Sequence, residues 1–246
     1  MQGYTRRQLK QDRFVETAEG AATWATEHQR TLIMSIGIAV VVILVAVGIY
    51  AWQSHQSEQA NIALGAAMRT LNTPLRPAGA PAPTGGEAGS SFTSITERAK
   101  AAEKQFKDVA DHYSMTAPGK IARYMEGVAA EQAGDNATAE KQLKEASDSS
   151  NKDVASLAKM ALASFYRSSN RPADAIRIYK DLADHPTDTV SKADAQLALA
   201  DLYSTTDPQQ AASLYQQIQK ENPQSPAGQT AAAKLSGGKQ GQNLSF

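Results

Sequence analysis

The side chains most suited to catalytic chemistry are few and scattered in this chain. The four histidines are His28, His55, His112 and His185. No two of them lie at the helical spacing of a paired histidine metal site. Gly237-Gly238-Lys239 lacks the upstream glycine and the following hydroxyl residue of a phosphate-binding loop. No serine lies in a Gly-x-Ser-x-Gly turn, and the absence of cysteine excludes a thiolate nucleophile. The sequence therefore predicts a protein that is not an enzyme and that binds no metal or cofactor.

The composition favours an all-α protein that does not bind nucleic acid. The 246 residues carry 25 basic and 25 acidic side chains, so the formal net charge at pH 7 is zero. Nucleic-acid binding requires a concentrated basic surface, and this balance argues against one. Aromatic residues make up only 6% of the chain. Alanine is abundant, and it favours helices that pack closely together.

Near the N-terminus, an uncharged run of twenty residues extends from Leu32 to Ala51. Twelve of these residues are Leu, Ile or Val, and as a helix the run spans about 30 Å, the thickness of the hydrocarbon core of a bilayer. Tyr50 and Trp52 stand at its far end, where aromatic rings favour the membrane interface. The alternative is a cleaved signal peptide, whose apolar region is usually about 7–15 residues long and ends in small residues. The longer run and the bulky residues after Gly48 favour an uncleaved anchor.

In the stretches that adjoin this run, basic residues lie only on its N-terminal side. Those that precede it are Arg6, Arg7, Lys10, Arg13 and Arg30. None follows it before Arg69. The positive-inside rule then predicts a cytoplasmic N-terminus and places residues 53–246 across the membrane. The apolar spacing within residues 1–30 predicts a short helix, which either contacts a partner or the inner leaflet or simply leads into the anchor.

The second half of the chain contains an internal repeat. One unit has Leu162, Ala163, Tyr166, Ala175, Tyr179, Leu182 and Pro186. The next unit has Leu199, Ala200, Tyr203, Ala211, Tyr215, Ile218 and Pro223 at offsets of 36 or 37 residues. An upstream unit has Gly127, Gly134, Ala139, Leu143 and Ala146, and half of a still earlier one has Ala102, Phe106 and Val109. Each unit reads as two helices with a short turn, and Gly134-Asp135, Asn170-Arg171-Pro172 and Asp207-Pro208 supply the turns.

This pattern resembles the tetratricopeptide repeat, a helical hairpin of about 34 residues. In that motif small residues stand where helices cross and large residues fill the space between hairpins. The period here is longer, and no tryptophan occupies the expected place in any unit. The resemblance extends from Ser94 to about Pro223, and a capping helix is expected over Pro226 to Leu235, since an end unit would otherwise expose its apolar face.

The sequence thus predicts an all-α chain with an N-terminal transmembrane helix followed by a tetratricopeptide-like helical-hairpin solenoid. Residues 73–91 hold four prolines and four glycines and cannot bury enough apolar surface to offset their ordering entropy. The expected segments are a cytoplasmic segment 1–30, a transmembrane helix 31–52, a post-membrane helix 53–72, a disordered Pro/Gly-rich insertion 73–91, a repeat domain 92–236 and a C-terminal tail 237–246.

The resemblance implies a concave face lined by the first helix of each hairpin. In the register of the motif, its side chains are Tyr124, Val128, Glu131, Leu157, Met160, Ser164, Arg167, Asp194, Leu197 and Asp201. An apolar floor with scattered charges suits extended or partly unfolded polypeptide. A clamp for a C-terminal carboxylate is not expected, because no lysine or asparagine stands at the required places.

The order of parts resembles the ancillary subunit of the bacterial SecYEG translocon. The stretch Asp12-Arg13-Phe14-Val15-Glu16 before the span and the closing Asn243-Leu244-Ser245-Phe246 are similar to that family. The resemblance implies a non-enzymatic, single-span protein of the bacterial inner membrane with its repeat domain in the periplasm. Its implied partners are the translocon, a periplasmic chaperone and exported polypeptides. The alternative is a scaffold for an envelope-assembly or cell-division complex.

Overall fold

A computed structural model of the chain describes residues 29–76 and 92–242, and every regular element in these ranges is an α-helix. The helices are α1 (Gln29–Leu71), α2 (Ile95–His112), α3 (Ala117–Ala133), α4 (Asn136–Ser147), α5 (Lys152–Ser168), α6 (Pro172–Asp184), α7 (Lys192–Thr206), α8 (Pro208–Glu221) and α9 (Pro226–Gln242). The predicted all-α class is confirmed. Residues 1–28 of the predicted cytoplasmic segment, residues 77–91 of the predicted insertion and residues 243–246 of the predicted tail lie outside the described residues.

The chain divides into two compact units, Met1–His55 and Gln56–Phe246. Within the first unit, the described part is the beginning of α1, whose large apolar side chains are exposed, as Ile38 is at 65%. This helix is long and apolar enough to cross a membrane, and a signal sequence would have the same properties. The structure has one helix from Gln29 to Leu71 where the sequence predicted a transmembrane and a post-membrane helix in succession.

The second unit contains the repeated hairpins, and the residues that define the repeat form its core. Helices α2, α4, α6 and α8 are the second helices of successive hairpins. Their equivalent residues are all buried: Ala102, Ala139, Ala175 and Ala211, then Phe106, Leu143, Tyr179 and Tyr215, then Val109, Ala146, Leu182 and Ile218. On the first helices, Ala163 and Ala200 are also fully buried. The predicted periodicity therefore marks the packed faces.

The turns between paired helices follow from their residue types. Gly134 ends α3 with a φ of 82°, in the left-handed region that favours glycine. Asn170, 36 residues later in the equivalent turn, has a φ of 58°, and asparagine is among the few other residues that accept this conformation. A side-chain cap begins α4, since Asp135 accepts a hydrogen bond from the backbone N–H of Thr138 at 3.0 Å. These short turns keep each helix pair in contact.

The crossing of α3 and α4 requires a residue without a side chain. A Cβ on Gly127 would lie 2.8 Å from Cγ of Leu143 on the facing helix, closer than carbon atoms pack. The equivalent residues in the next two hairpins are Ala163 and Ala200. Small residues at this position therefore let the paired helices approach closely.

In two hairpins a charged residue occupies the place where the tetratricopeptide motif has tryptophan. In α3, Arg123 donates to Oε1 of Gln142 and to Oε2 of Glu145, both at 3.0 Å, and its second nitrogen lies 3.3 Å from Oδ1 of Asp111. One guanidinium thus joins α2, α3 and α4. In the next hairpin, Nζ of Lys159 donates to Oδ2 of Asp181 at 2.6 Å. Polar contacts between paired helices replace the aromatic packing of the motif.

Glu126 is a buried acid at a position where the other repeats have leucine. Glu126 is only 1% exposed. The equivalent residues in the next two hairpins are Leu162 and Leu199. Its Oε2 has no hydrogen-bond partner among the described residues. Burial raises the pKa of Glu126 to about 7, against the opposing influence of Lys107 and Arg123. Above that pH the domain holds a carboxylate that lacks full solvation.

We expect the stability of the wild-type protein to fall as the pH rises from about 4.5 to about 7. In this window the folded state binds more protons at Glu126 than the unfolded state does, so deprotonation favours unfolding. Glu126→Leu should reduce this dependence and raise the free energy of unfolding above pH 7 by about 1–2 kcal/mol. Thermal unfolding of the full-length chain in detergent at several pH values measures both effects. Glu58→Gln, on an exposed acid of α1, is the control, and a variant profile that matches the wild type would contradict the prediction.

Candidate protein-binding groove

The ten predicted groove residues recur at equivalent places on three helices, α3, α5 and α7. Tyr124, Met160 and Leu197 are separated by 36 and 37 residues, as are Val128, Ser164 and Asp201. Glu131 pairs in the same way with Arg167, and Leu157 with Asp194. Helices α3 and α5 pack directly against each other. The repeat therefore places these ten residues on corresponding faces of the first helices.

The apolar candidates form a partly covered layer over the core. Tyr124, Val128, Leu157, Met160 and Leu197 are all half-buried and pack against the main cluster of buried side chains. That cluster extends through α3 to α9 and includes Leu162, Tyr179 and Leu199. Each of the five half-buried residues is anchored on its inner side and leaves apolar surface free on its outer side. Covering such surface is favourable for a ligand that brings apolar side chains.

Asp201 is engaged in contacts that hold the end of the array together. Its Oδ1 accepts a hydrogen bond from the hydroxyl of Tyr215 at 2.6 Å and lies 3.0 Å from Nζ of Lys234. Burial and this hydrogen bond raise the pKa of Tyr215. Asp201 of α7 thereby joins α8 and α9. Its carboxylate is therefore used in contacts within the domain, and we assign Asp201 as a packing residue.

Asp194 also has a local structural role, at the start of α7. Its backbone N–H donates to Oγ of Ser191 at 3.1 Å, and its Oδ2 accepts from the same hydroxyl at 2.6 Å. Reciprocal bonds of this kind satisfy the free donors at a helix N-terminus. The carboxylate also favours the positive end of the helix dipole. Ser191 is therefore the N-cap of α7, and the carboxylate of Asp194 holds its hydroxyl in place.

Glu131 and Arg167 are the charged candidates without such roles. They occupy equivalent places on α3 and α5, with opposite charge. Arg167 is exposed, and within the described part of the chain it forms no ion pair. Glu131 is half-buried, and burial raises its pKa. These two residues, with the half-buried Ser164, are the polar groups that the groove offers to a ligand.

Sequence reasoning missed a second set of surfaces, which lie between successive second helices. One cleft of about 490 Å³, here called the α4–α6 cleft, has α5 as its floor. Its lining residues are Lys144, Ser147, Asp148, Lys159, Leu162, Tyr166, Arg177, Ile178 and Asp181. A smaller cleft of about 230 Å³ at the equivalent place one repeat later is lined by Leu199, Tyr203 and Leu214, among others. None of the ten groove candidates lines either cleft. The sequence feature that could have located the clefts is the recurrence of charged residues at offsets of 36 residues.

Two family models match the chain. One, described as a tetratricopeptide repeat-like domain, matches residues 23–188, and the other, a tetratricopeptide repeat, matches residues 160–226. The chain belongs to the tetratricopeptide repeat-like family. The first match covers more than half of the chain and includes the apolar segment of α1. Searches of curated proteins and of solved structures gave no match.

Membership of this family defines the general class of function. Tetratricopeptide repeats are typically non-catalytic modules that bind other proteins, and successive hairpins form the extended surface that such modules use. Among residues 29–76 and 92–242, no group of three or more histidine or acidic side chains is arranged to hold a metal ion. The groove and the clefts are therefore candidate surfaces for binding a polypeptide.

We predict that two charged groove residues differ sharply in their contribution to stability. Asp201→Ala should lower the free energy of unfolding by about 1–3 kcal/mol, because the Tyr215 hydroxyl and the Lys234 ammonium lose their acceptor. Arg167→Ala should change it by less than about 0.5 kcal/mol, as expected for an exposed residue without an ion pair. Chemical denaturation of the full-length chain in detergent measures both. Equal effects of the two substitutions would contradict the assignment of Asp201 as a packing residue.

Proposed function

We propose that this protein is a membrane-anchored module that binds extended polypeptide on the extracytoplasmic side of a bacterial inner membrane. The apolar part of α1 is the anchor. The basic residues that precede it, and the lack of any between the run and Arg69, support a cytoplasmic N-terminus. In this topology the anchor holds the repeat domain at the periplasmic surface of the membrane.

The observation that carries the proposal is the row of half-buried apolar side chains on successive first helices. Tyr124, Met160 and Leu197 stand at equivalent places on α3, α5 and α7. An extended segment lying across these helices would meet one such residue per repeat. Methionine adapts to ligand side chains of different shape. A surface of this kind suits segments that have apolar residues but no fixed sequence.

Anchoring makes weak contacts sufficient. When the groove is held near the site where polypeptides emerge, their effective concentration at the groove is roughly millimolar. Binding can then be rapid and reversible, with no need for a large interface. A form of the protein without the anchor should keep its intrinsic affinity and lose most of its effect.

The proposed setting is the Sec translocon, with this chain as an accessory subunit beside a periplasmic chaperone. The order of parts, with a short N-terminal segment, one span and a repeat domain, supports this choice. The match to one family model, over residues 23–188, also includes both the apolar segment and the first hairpins. The alternative is a scaffold for an envelope-assembly or cell-division complex, which would use the same groove for one fixed partner.

Affinity purification of the full-length protein from native membranes in mild detergent, followed by mass spectrometry, tests the proposal. We expect translocon subunits, a periplasmic chaperone and exported polypeptides in the wild-type sample. Met160→Gln should reduce the recovery of exported polypeptides, because it replaces an apolar groove residue with a polar one. Met115→Gln is the matched control, since Met115 is 79% exposed and lies outside the groove.

Each result of this experiment has a defined meaning once thermal unfolding shows that both variants remain folded. Recovery of an envelope-assembly complex in place of the translocon would contradict the translocon assignment. Full recovery of polypeptides with Met160→Gln would contradict the groove. Equal losses in the two methionine variants would show that exposed methionine surface in general, and not the groove, retains these polypeptides.

A further inference from the structure

The repeats allow a filled cleft to be compared with an open one at the equivalent place. Between α2 and α4, the guanidinium of Arg123 reaches Asp111 on one side and Glu145 on the other, at 3.3 and 3.0 Å. It also donates to the backbone oxygen of Ala110 at 3.5 Å. One side chain thus bridges two carboxylates on successive second helices. In this repeat, the space between the two second helices therefore holds a guanidinium between two carboxylates.

In the next repeat the equivalent side chain pairs with only one of the two acids. Lys159 stands 36 residues after Arg123, and its ammonium pairs with Asp181, the equivalent of Glu145, at 2.6 Å. The equivalent of Asp111 is Asp148. No ion pair within the described residues reaches Asp148. The contact that Arg123 makes with Asp111 therefore has no counterpart at Asp148.

A further cation that the first repeat supplies is also directed elsewhere. Lys107 pairs with Asp111 at 2.9 Å, whereas its equivalent Lys144 pairs with Glu140 at 2.6 Å. Asp148 therefore lacks the counterparts of both cations that face Asp111. It is in addition the C-cap residue of α4, where the negative end of the helix dipole disfavours an uncompensated carboxylate.

Each cation that lines the α4–α6 cleft has an acidic partner, although Arg171 shares both Glu140 and Asp174. Lys144 and Lys159 have the partners just described, and Arg177 lies 3.7 Å from Asp174. Among the charged residues of the lining, Asp148 is the one that forms no ion pair within the described part of the chain. Asp148 and Asp181 line the same cleft of about 490 Å³, together with the apolar side chains of Leu162 and Ile178. The open space lies where the preceding repeat holds a guanidinium.

We propose that the α4–α6 cleft binds an arginine side chain of a protein partner, with its guanidinium between Asp148 and Asp181. Arginine suits this place because its planar fork can donate to two carboxylates at once, whereas lysine presents a single point charge. The two repeats illustrate the difference, since Arg123 reaches two acids and Lys159 reaches one. The apolar walls would cover the methylene stem of the ligand. This site is independent of the first-helix groove.

Titration with a short peptide tests the proposal on the full-length chain in detergent micelles. The probe is acetyl-Ala-Arg-Ala-amide, and its uncharged counterpart carries citrulline in place of arginine. Methyl resonances of Leu162 and Ile178 report on the cleft. We expect shifts of both resonances with the arginine peptide and none with the citrulline peptide. Absence of shifts with the arginine peptide, or equal shifts with both peptides, would overturn the proposal.

Two substitutions separate the cleft from general charge attraction. Asp148→Asn should weaken binding about tenfold, the effect of losing a charge-assisted hydrogen bond. Asp188→Asn makes the same charge change on an exposed residue outside the cleft lining and should leave binding unchanged. Equal weakening by the two variants would overturn the proposal.

Lys159→Arg provides a test that keeps the charge of the domain constant. The longer side chain should reach both Asp148 and Asp181, as Arg123 does with their equivalents. We expect this variant to lose the peptide-induced shifts. Unchanged peptide binding by Lys159→Arg would show that the guanidinium does not occupy the predicted place. Met160→Gln, which alters the groove, should leave the titration unaffected, so failure of one proposed site is distinguishable from failure of the other.

Discussion

The repeat domain depends on the close approach of helices at residues that have almost no side chain. Alanine occupies the same buried position in α2, α4, α6 and α8, and the exposed fraction of these residues does not exceed 3%. Larger neighbours such as Phe106 and Tyr179 then fill the space between hairpins. Because this packing fixes the rotation of each first helix, it also determines which of its side chains face outward. The groove is thus a consequence of core packing in the second helices.

Ion pairs between helices add to this apolar packing, and they differ from one repeat to the next. The position of the motif's tryptophan is taken by Arg123, then by Lys159, then by the buried Gln196. Ion pairs at partly buried positions contribute little net stability, because desolvation offsets their attraction. Their main effect here is on shape. Arg123 closes the space between two second helices, whereas Lys159 leaves the next one open.

Periodicity predicts what a helix buries but not which charged groups meet from different helices. The core residues, the turns at Gly134 and Asn170 and the family follow directly from spacing. The role of Asp201 does not, since its partner Lys234 lies in α9, beyond the last repeated unit. The predicted capping helix over Pro226 to Leu235 in fact continues to Gln242. The α4–α6 cleft requires comparison of side-chain reach between Arg123 and Lys159, and a hydrophobic pattern carries no such information.

The central claim is that the first-helix face, and not the surface in general, contacts polypeptide at the membrane. Photo-crosslinking in native membranes tests it most directly, with a photoreactive amino acid at Met160 and, as control, at the exposed Lys220 of α8. We predict that Met160 gives crosslinks to newly synthesised exported polypeptides and that these disappear during a chase, while Lys220 gives none. Crosslinks that are absent at Met160, or equally strong at Lys220, would contradict the claim.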